Sequence, residues 1–349
     1  MMKRGLSTLD VNRTPLAIYK GRQERLRQSI RDNGLDGALV YGDVSTGSDI
    51  AFLTHSTLYW AHAILVVPVD GPIVLVMTLS PRTQDWFDAT SVLDEMISGP
   101  NMAGIVQTLC TERGYGRVGL VDQDYFPADM LDTIAAEGKV QLQDLGPIVR
   151  ELRTVPDDAA LADLAQVARV GTSAFDSATQ VADFLDADLV RAEAEFAMRA
   201  AGAWDTTAVV TPAAGGGLVV QLRCQIRDAW YGAERLVAGA ADVTSAARSL
   251  YEQMIGALRP GISEGQLQDF VQSKANALAA WPDAVLDVVL ETAPDIEQRR
   301  VLGGEPDSGF VEGSVLQAAL WAWNEDGSPV MAFGDTFRIT ASGAVPTVT

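Results

Sequence analysis

From residue 20 to residue 145 the chain alternates between helical and strand patterning, and that alternation restricts this stretch to an α/β domain. In "RQERLRQSIRDNGLDGALVYGD", Leu26, Ile30 and Leu35 recur at helical spacing while arginine and glutamine fill the outer face. Asn33-Gly34 closes that helix with a pair that tolerates left-handed backbone. "GALVY" then reads as a short buried strand. "ILVVPVDGPIVLVM" reads as two strands joined around Asp70-Gly71. "ATSVLDEMI" is a strand end, "NMAGIVQTLCTERG" a helix, "GRVGLVDQD" a strand and "PADMLDTIAAEG" a helix.

The pattern changes after residue 145. Gly146-Pro147 and Pro156 punctuate the chain, and a long helix follows with Asp157 or Asp158 placed to cap it. Leu161, Leu164, Val167 and Ala168 form its apolar face. The boundary is expected near residue 154, giving domains 1–154 and 155–349. The second domain continues with the helix "DLVRAEAEFAMRAAGA", strands over 207–211 and 218–238, and helices over 242–257 and in "LRPGISEGQLQDFVQSKANAL". "VLDVVLE", "VLQAALWAW" and "VMAFGDTFRITASG" supply the closing strands. "VVQLRCQIRDAWYGAERLVA", residues 219–238, has the rhythm of a buried hairpin.

Charge and residue counts narrow the function. A formal charge of −20, from 46 acidic against 26 basic residues, opposes binding to nucleic acid or an anionic membrane. No apolar run approaches the roughly 18 residues of a membrane span, and "MMKRGLSTLDVNRTPLAIYK" has no apolar signal core. Cys110 and Cys224 form no CxxC pair, so a reduced, cytoplasmic setting is expected. The only two histidines are His55 and His62, which confines histidine chemistry to the first domain.

Five segments in order carry a resemblance. "SDIAFLTHS", "RELRTVPDDAALADLAQVARVGTSAF", "ALRPGISEGQLQDF", "FVEGSVLQAALW" and "FGDTFRITASGA" resemble the motifs of the pita-bread peptidases: aminopeptidase P, prolidase, methionine aminopeptidase and creatinase. The resemblance implies an α/β fold, a creatinase-type N-terminal domain followed by a pseudo-twofold pita-bread C-terminal domain. It also implies a site for two divalent cations, held by two aspartates, a histidine and two glutamates. In this chain the first aspartate position is Arg223 and the second is Gly232 or Glu234. The two glutamate positions are Ala319 and Gly334, the latter beside Asp335, and residues 270–300 contain no histidine. No metal and no cofactor are therefore expected, and a metallopeptidase is rejected. Creatinase works on this fold without metal, and its glutamate-arginine segment resembles "AERL" at residues 233–236. The histidine that moves its proton has no counterpart here, because "TTAVVTPAAGGG" spans that region.

Candidate residues follow from these positions. Glu234 is the expected proton-transfer group, unless it is a surface partner of Arg235. Arg223 would clamp a polar ligand, or else form a structural ion pair with Glu234 or Asp335 in place of the lost metal charge. Tyr231, Trp321, Asp335 and Arg338 are expected to line the substrate site, with core packing the alternative for each aromatic residue. The resemblance also implies a homodimer, with the run "TLYWAHA" near the interface and His62 reaching the partner's site as a catalytic proton carrier; otherwise His62 is simply hydrogen-bonded in its own domain. The function expected is a metal-independent enzyme on a small-molecule substrate, a hydrolase, lyase or cyclase that fits secondary metabolism. The alternative is an inactive pseudo-peptidase that binds a ligand or a protein.

Overall fold

The computed structural model describes residues 9–58, 61–227, 229–239, 241–275, 284–292 and 309–347. It divides into two compact units, one ending at Arg153 and the other beginning at Thr154.

The first unit runs α1 (Leu16–Asp32), β1 (Gly37–Gly42), α2 (Ser48–Thr54), β2 (Ala63–Pro68), β3 (Val74–Met77), α3 (Gln84–Thr90), β4 (Glu95–Ser98), α4 (Met102–Glu112), β5 (Arg117–Val121), α5 (Ala128–Ala135), β6 (Gln141–Asp144) and α6 (Ile148–Thr154). Its sheet has the order β4-β3-β2-β1-β5-β6. β1 and β2 are antiparallel, while β1–β5, β5–β6 and β3–β4 are parallel. β1, β2 and β3 are buried along their whole length because apolar side chains pack on both faces. Leu26 and Ile30 of α1 pack against Leu65, Leu75 and Val40 on one face. Val106 and Cys110 of α4 pack against Leu39, Ile64 and Val76 on the other.

The sequence pattern leaves α2, α3 and β6 unassigned. α2 is short and buried throughout, so no polar face marks it as a helix. It ends at His55, whose left-handed backbone (φ 60°) closes the last turn. The Nδ1 atom of His55 lies 2.8 Å from the carbonyl of Thr90, and Tyr19 meets the ring edge-on. His55 is a buried structural residue. Arg153 of α6 reaches Asp49 of α2 at 3.0 Å and Arg150 reaches Asp122, just past β5, at 2.6 Å, which ties α6 to its own unit.

The second unit is two copies of one pattern. Helices α7 (Asp158–Val181) and α8 (Ala187–Ala200) precede strands β7 (Asp205–Pro212), β8 (Leu218–Ile226) and β9 (Ala229–Val237). Helices α9 (Ala241–Ala257) and α10 (Glu264–Ala275) precede β10 (Val285–Thr292), β11 (Val315–Trp323) and β12 (Pro329–Thr340). The sheet order is β10-β11-β12-β9-β8-β7, with the short β13 (Gly343–Pro346) beside β12. The two halves meet at β9 and β12, where Gly334 faces Glu234. Asp157 caps α7 through the amide of Ala160 at 3.0 Å.

One face of this sheet is covered by helices. Leu222, Cys224, Tyr231 and Ala233 pack under α7 and α8. Leu316, Ala318, Leu320, Phe333 and Phe337 pack under α9 through Ala247, Leu250 and Met254. The Tyr231 ring lies so close to α7 that a Cβ at Gly171 would fall 2.2 Å from it. At the hairpin tip Arg227 takes a left-handed backbone (φ 52°) and pairs with Asp163 of α7 through Nε at 2.7 Å.

Burial lifts the Cys110 thiol to about 11 and the Cys224 thiol to about 12. The thiolate is the reactive form, so both thiols are expected to resist a disulfide reagent at pH 8 in the native protein. Titration with Ellman's reagent should release two thiols only after denaturant is added. Rapid labelling of either in the folded protein would contradict this burial.

Candidate active site

Side chains alternate across a strand, so the residues between those packed under the helices project from the opposite face of the second sheet. Arg223 on β8 faces Gly232 on β9, and Gln221 faces Glu234. On β11, Gln317 faces Thr336 of β12 and Ala319 faces Gly334. Glu291 on β10 faces Gln317. The register thus lays Glu291, Gln317, Thr336, Gly232 and Arg223 side by side, with Glu234 in the adjacent row.

These side chains form one buried network. Arg223 is 4% exposed and Glu234 1% exposed. The Arg223 Nη2 donates to Glu234 Oε1 at 2.8 Å and lies 3.5 Å from Glu291 Oε2. The Gln317 Nε2 donates to both Glu234 oxygens at 2.7 Å. The Arg223 Nη1 donates to the carbonyl of Leu222 at 2.9 Å. Thr336 ties β12 to β9: it receives the Gly232 amide at 3.1 Å and donates to the Gly232 carbonyl at 2.8 Å. Burial disfavours the Arg223 charge, but Glu234 and then Glu291 outweigh it and hold the guanidinium firmly protonated.

Two glycines make this network sterically feasible. A Cβ at Gly334 would fall 2.0 Å from Glu234 Oε2 and 2.7 Å from the Ala319 Cβ. A Cβ at Gly232 would fall 2.1 Å from Gln317 Oε1 and 2.9 Å from the Arg223 Cδ. The carboxylate of Glu234 and the amide of Gln317 occupy the volume that larger side chains at 334 and 232 would claim.

Of the residues expected at the site, Arg223 and Glu234 are joined directly, and the structural ion pair allowed for Arg223 is present. Trp321 lies on the same face by strand period, one row beyond Ala319, and stacks on Trp323 with centroids 4.7 Å apart and planes 6° apart. Tyr231 and Asp335 are not brought to Arg223. Both lie on the helix-covered face, because each is one residue out of phase with the site row. Asp335 pairs there with Arg235 at 2.6 Å, and the Arg235 guanidinium lies 5.1 Å above the Phe175 ring. Burial, then Asp335, keeps the Tyr231 hydroxyl well above its usual range. Glu234 is therefore not a surface partner of Arg235, since the two side chains leave β9 on opposite faces.

Arg338 is exposed opposite Val315, and among the described residues no ion pair joins it to Glu234. His62 belongs to the first unit, where its Nδ1 lies 2.6 Å from the Tyr41 hydroxyl. Burial, then the nearby Asp43 and Asp129, raises Tyr41 to about 12, so the phenol keeps its proton beside His62. Tyr59 and Trp60 of "TLYWAHA" lie outside the described residues. So do residues 276–283 and 293–308, most of the stretch in which the family's histidine falls.

Three residues of the network carry no sequence signal that marks them as site residues: Glu291, Gln317 and Thr336. Each sits in a mostly apolar strand, and only the register across β10, β11 and β12 shows that they share a row. The period-2 placement of Gln317 and Ala319 in "VLQAALWAW" puts the two on one face, but the glutamine matches no motif.

The site does not suit the two cations that the pita-bread resemblance implies. Arg223 brings positive charge to a ligand position, and both Glu234 oxygens are already hydrogen-bonded. Gly334 and Ala319 bring no oxygen, and the space at 334 is filled by Glu234. Among the described residues no group of three or more histidine, cysteine, aspartate or glutamate side chains is arranged to hold a metal.

Residues 22–155 match the Creatinase/Prolidase N-terminal domain family. Curated proteins yield no significant match to the sequence. Solved structures match over nearly the whole chain. The prolidase from Pyrococcus horikoshii OT3 superposes with a TM-score of 0.75 at 11% identity, covering 94% of this chain and 98% of its own. The X-Pro aminopeptidase from Thermotoga maritima MSB8 gives 0.75 at 14% identity, over 94% and 97%. The dipeptidase PepE from Mycobacterium ulcerans gives 0.74 at 17% identity, over 98% and 97%. At these identities the whole-chain likeness is one of fold: the chain carries a creatinase/prolidase-type N-terminal domain and has the two-domain α/β fold of the pita-bread peptidases.

Proposed function

We propose that this protein acts on a small molecule without a metal ion, at the polar face of its C-terminal sheet, and is not a metallopeptidase. The observation that carries this reading is the position of Arg223. Its guanidinium stands between Glu234 and Glu291, at 2.8 and 3.5 Å, and supplies the positive charge a buried pair of carboxylates needs. With no cation to polarise a carbonyl or generate hydroxide, the chemistry open to the site is proton transfer and positioning. Glu234 is the residue we assign to proton transfer, in a hydrolysis, elimination or cyclisation of a small substrate.

A second reading, a site that binds a ligand without turning it over, is favoured by one observation. Gln317 and Arg223 together occupy both oxygens of Glu234. A carboxylate held in this way can take a proton only after one of those bonds is exchanged for a bond to the ligand.

Both readings share a test. After chelation, addition of manganese or zinc should leave the melting temperature unchanged, and X-Pro dipeptides should not be hydrolysed in the presence of manganese. A specific ion at about 100 times its dissociation constant would stabilise the fold by about 2.7 kcal/mol, an easily read shift. A metal-dependent rise in melting temperature together with dipeptide turnover would overturn the proposal. Once a substrate is known, Glu234→Gln separates the two readings: loss of turnover with retained binding identifies the enzyme.

A further inference from the structure

The site row contains more hydrogen-bonding capacity than it uses. Among the described residues, four buried side-chain atoms on this face have no hydrogen-bond partner: Arg223 Nε, Gln317 Oε1, Gln225 Oε1 and Trp230 Nε1. All four residues are more than nine-tenths buried, at 4%, 1%, 0% and 4% exposure. The amide orientations follow from their partners. The Gln317 Nε2 is committed to the Glu234 carboxylate, and the Gln225 Nε2 donates to the Arg227 carbonyl at 2.5 Å. Each glutamine therefore has its oxygen left over.

The four atoms belong to neighbouring positions. Gln225 lies directly opposite Trp230, and two residues along the same face Arg223 lies opposite Gly232. Gln317 reaches over Gly232 from β11. The cluster is thus two donors and two acceptors, three of them on adjacent rungs of the β8–β9 hairpin and the fourth reaching in from β11. Buried polar atoms without partners are costly, so four of them gathered on one face call for a complementary group or enclosed water.

We propose that this is a binding subsite for a neutral group that both donates and accepts, the chemistry of a primary carboxamide or a lactam. This rests on the metal-free reading above and names the class of ligand. A carboxylate would bring only acceptors to two glutamine oxygens and would sit beside Glu234. A cationic amidine or amine would bring only donors and leave Arg223 Nε and Trp230 Nε1 unsatisfied. A carboxamide satisfies both kinds at once: its oxygen takes the arginine or indole N–H and its amino group takes a glutamine oxygen.

Benzamide, benzoate and benzamidine share one shape and differ in charge, so they test the proposal directly. Ligand-observed NMR on the full chain should show benzamide binding, with the other two about tenfold weaker or more, as expected of a site built around specific hydrogen bonds. Trp230→Phe removes one donor and keeps the ring, and Gln317→Met removes one acceptor. Each should weaken benzamide about tenfold or less while the melting curve shows a folded protein. Equal or tighter binding of benzoate or benzamidine overturns the neutral class. Failure of all three at about 10 mM, a concentration at which even millimolar affinity shows, overturns the subsite and leaves the four atoms to enclosed water. If manganese also remains without effect, that failure sinks the subsite alone. Stabilisation by manganese sinks the metal-free reading instead.

Discussion

Replacing Arg223 with methionine is expected to destabilise the protein by about 3–5 kcal/mol, the usual cost of removing one partner from a buried ion pair. Arg223 touches both Glu234 and Glu291, and all three side chains are at least nine-tenths buried. Without the guanidinium two buried carboxylates lose the positive charge they share. Methionine keeps most of the aliphatic volume, so a lost cavity term contributes little. Urea denaturation at pH 7 measures the effect. Removing one of the two carboxylate charges as well should recover much of it: Arg223→Met combined with Glu234→Gln should be more stable than Arg223→Met alone. An isolated Arg223→Met as stable as the parent would mean that the carboxylates have other compensation, and the arginine would then not be the stand-in for metal charge.

How much of this was readable beforehand differs between fold and site. The strand patterns mark β7 to β12 of the second sheet, because most of these strands are long and bounded by turns, while the short β13 carries no such pattern. In the first unit α2, α3 and β6 are not readable. α2 is buried on all sides and shows no amphipathic stripe, while β6 is mostly exposed and shows no apolar run. At the site, Arg223 and Glu234 were legible because they stand at motif positions in a recognisable hairpin. Tyr231, as an aromatic on a pocket-adjacent strand, and Asp335, as the acid beside a motif position, are expected in the same cleft, yet a one-residue offset in a strand sends a side chain to the other face. Gln317, Thr336 and Glu291 come from three further strands, and their convergence depends on cross-strand register, which a single sequence does not specify.

The glycine at 334 carries the most local test of how the site was assembled. A Cβ there would stand 2.0 Å from Glu234 Oε2 and 2.7 Å from the Ala319 Cβ, closer than atoms can approach. Gly334→Ala is therefore expected to destabilise the fold by about 1–3 kcal/mol, the range for an overpacked core, with more if β12 cannot shift. β12 is held between β9 and β11, so relief by backbone movement would disturb the pairing of Gly334 with Glu234 and with Ala319. Shortening the opposing side chain should relieve the clash. Glu234→Ala alone leaves the Arg223 charge with Glu291 only, at 3.5 Å, and is itself destabilising. In the double variant the two losses should fail to add, with a coupling of about 0.5–3 kcal/mol toward stability. Such a coupling would establish that position 334 is bare because Glu234 fills its space. Additive losses would mean that the glycine serves the backbone rather than the carboxylate, and that the two positions came to their present residues independently.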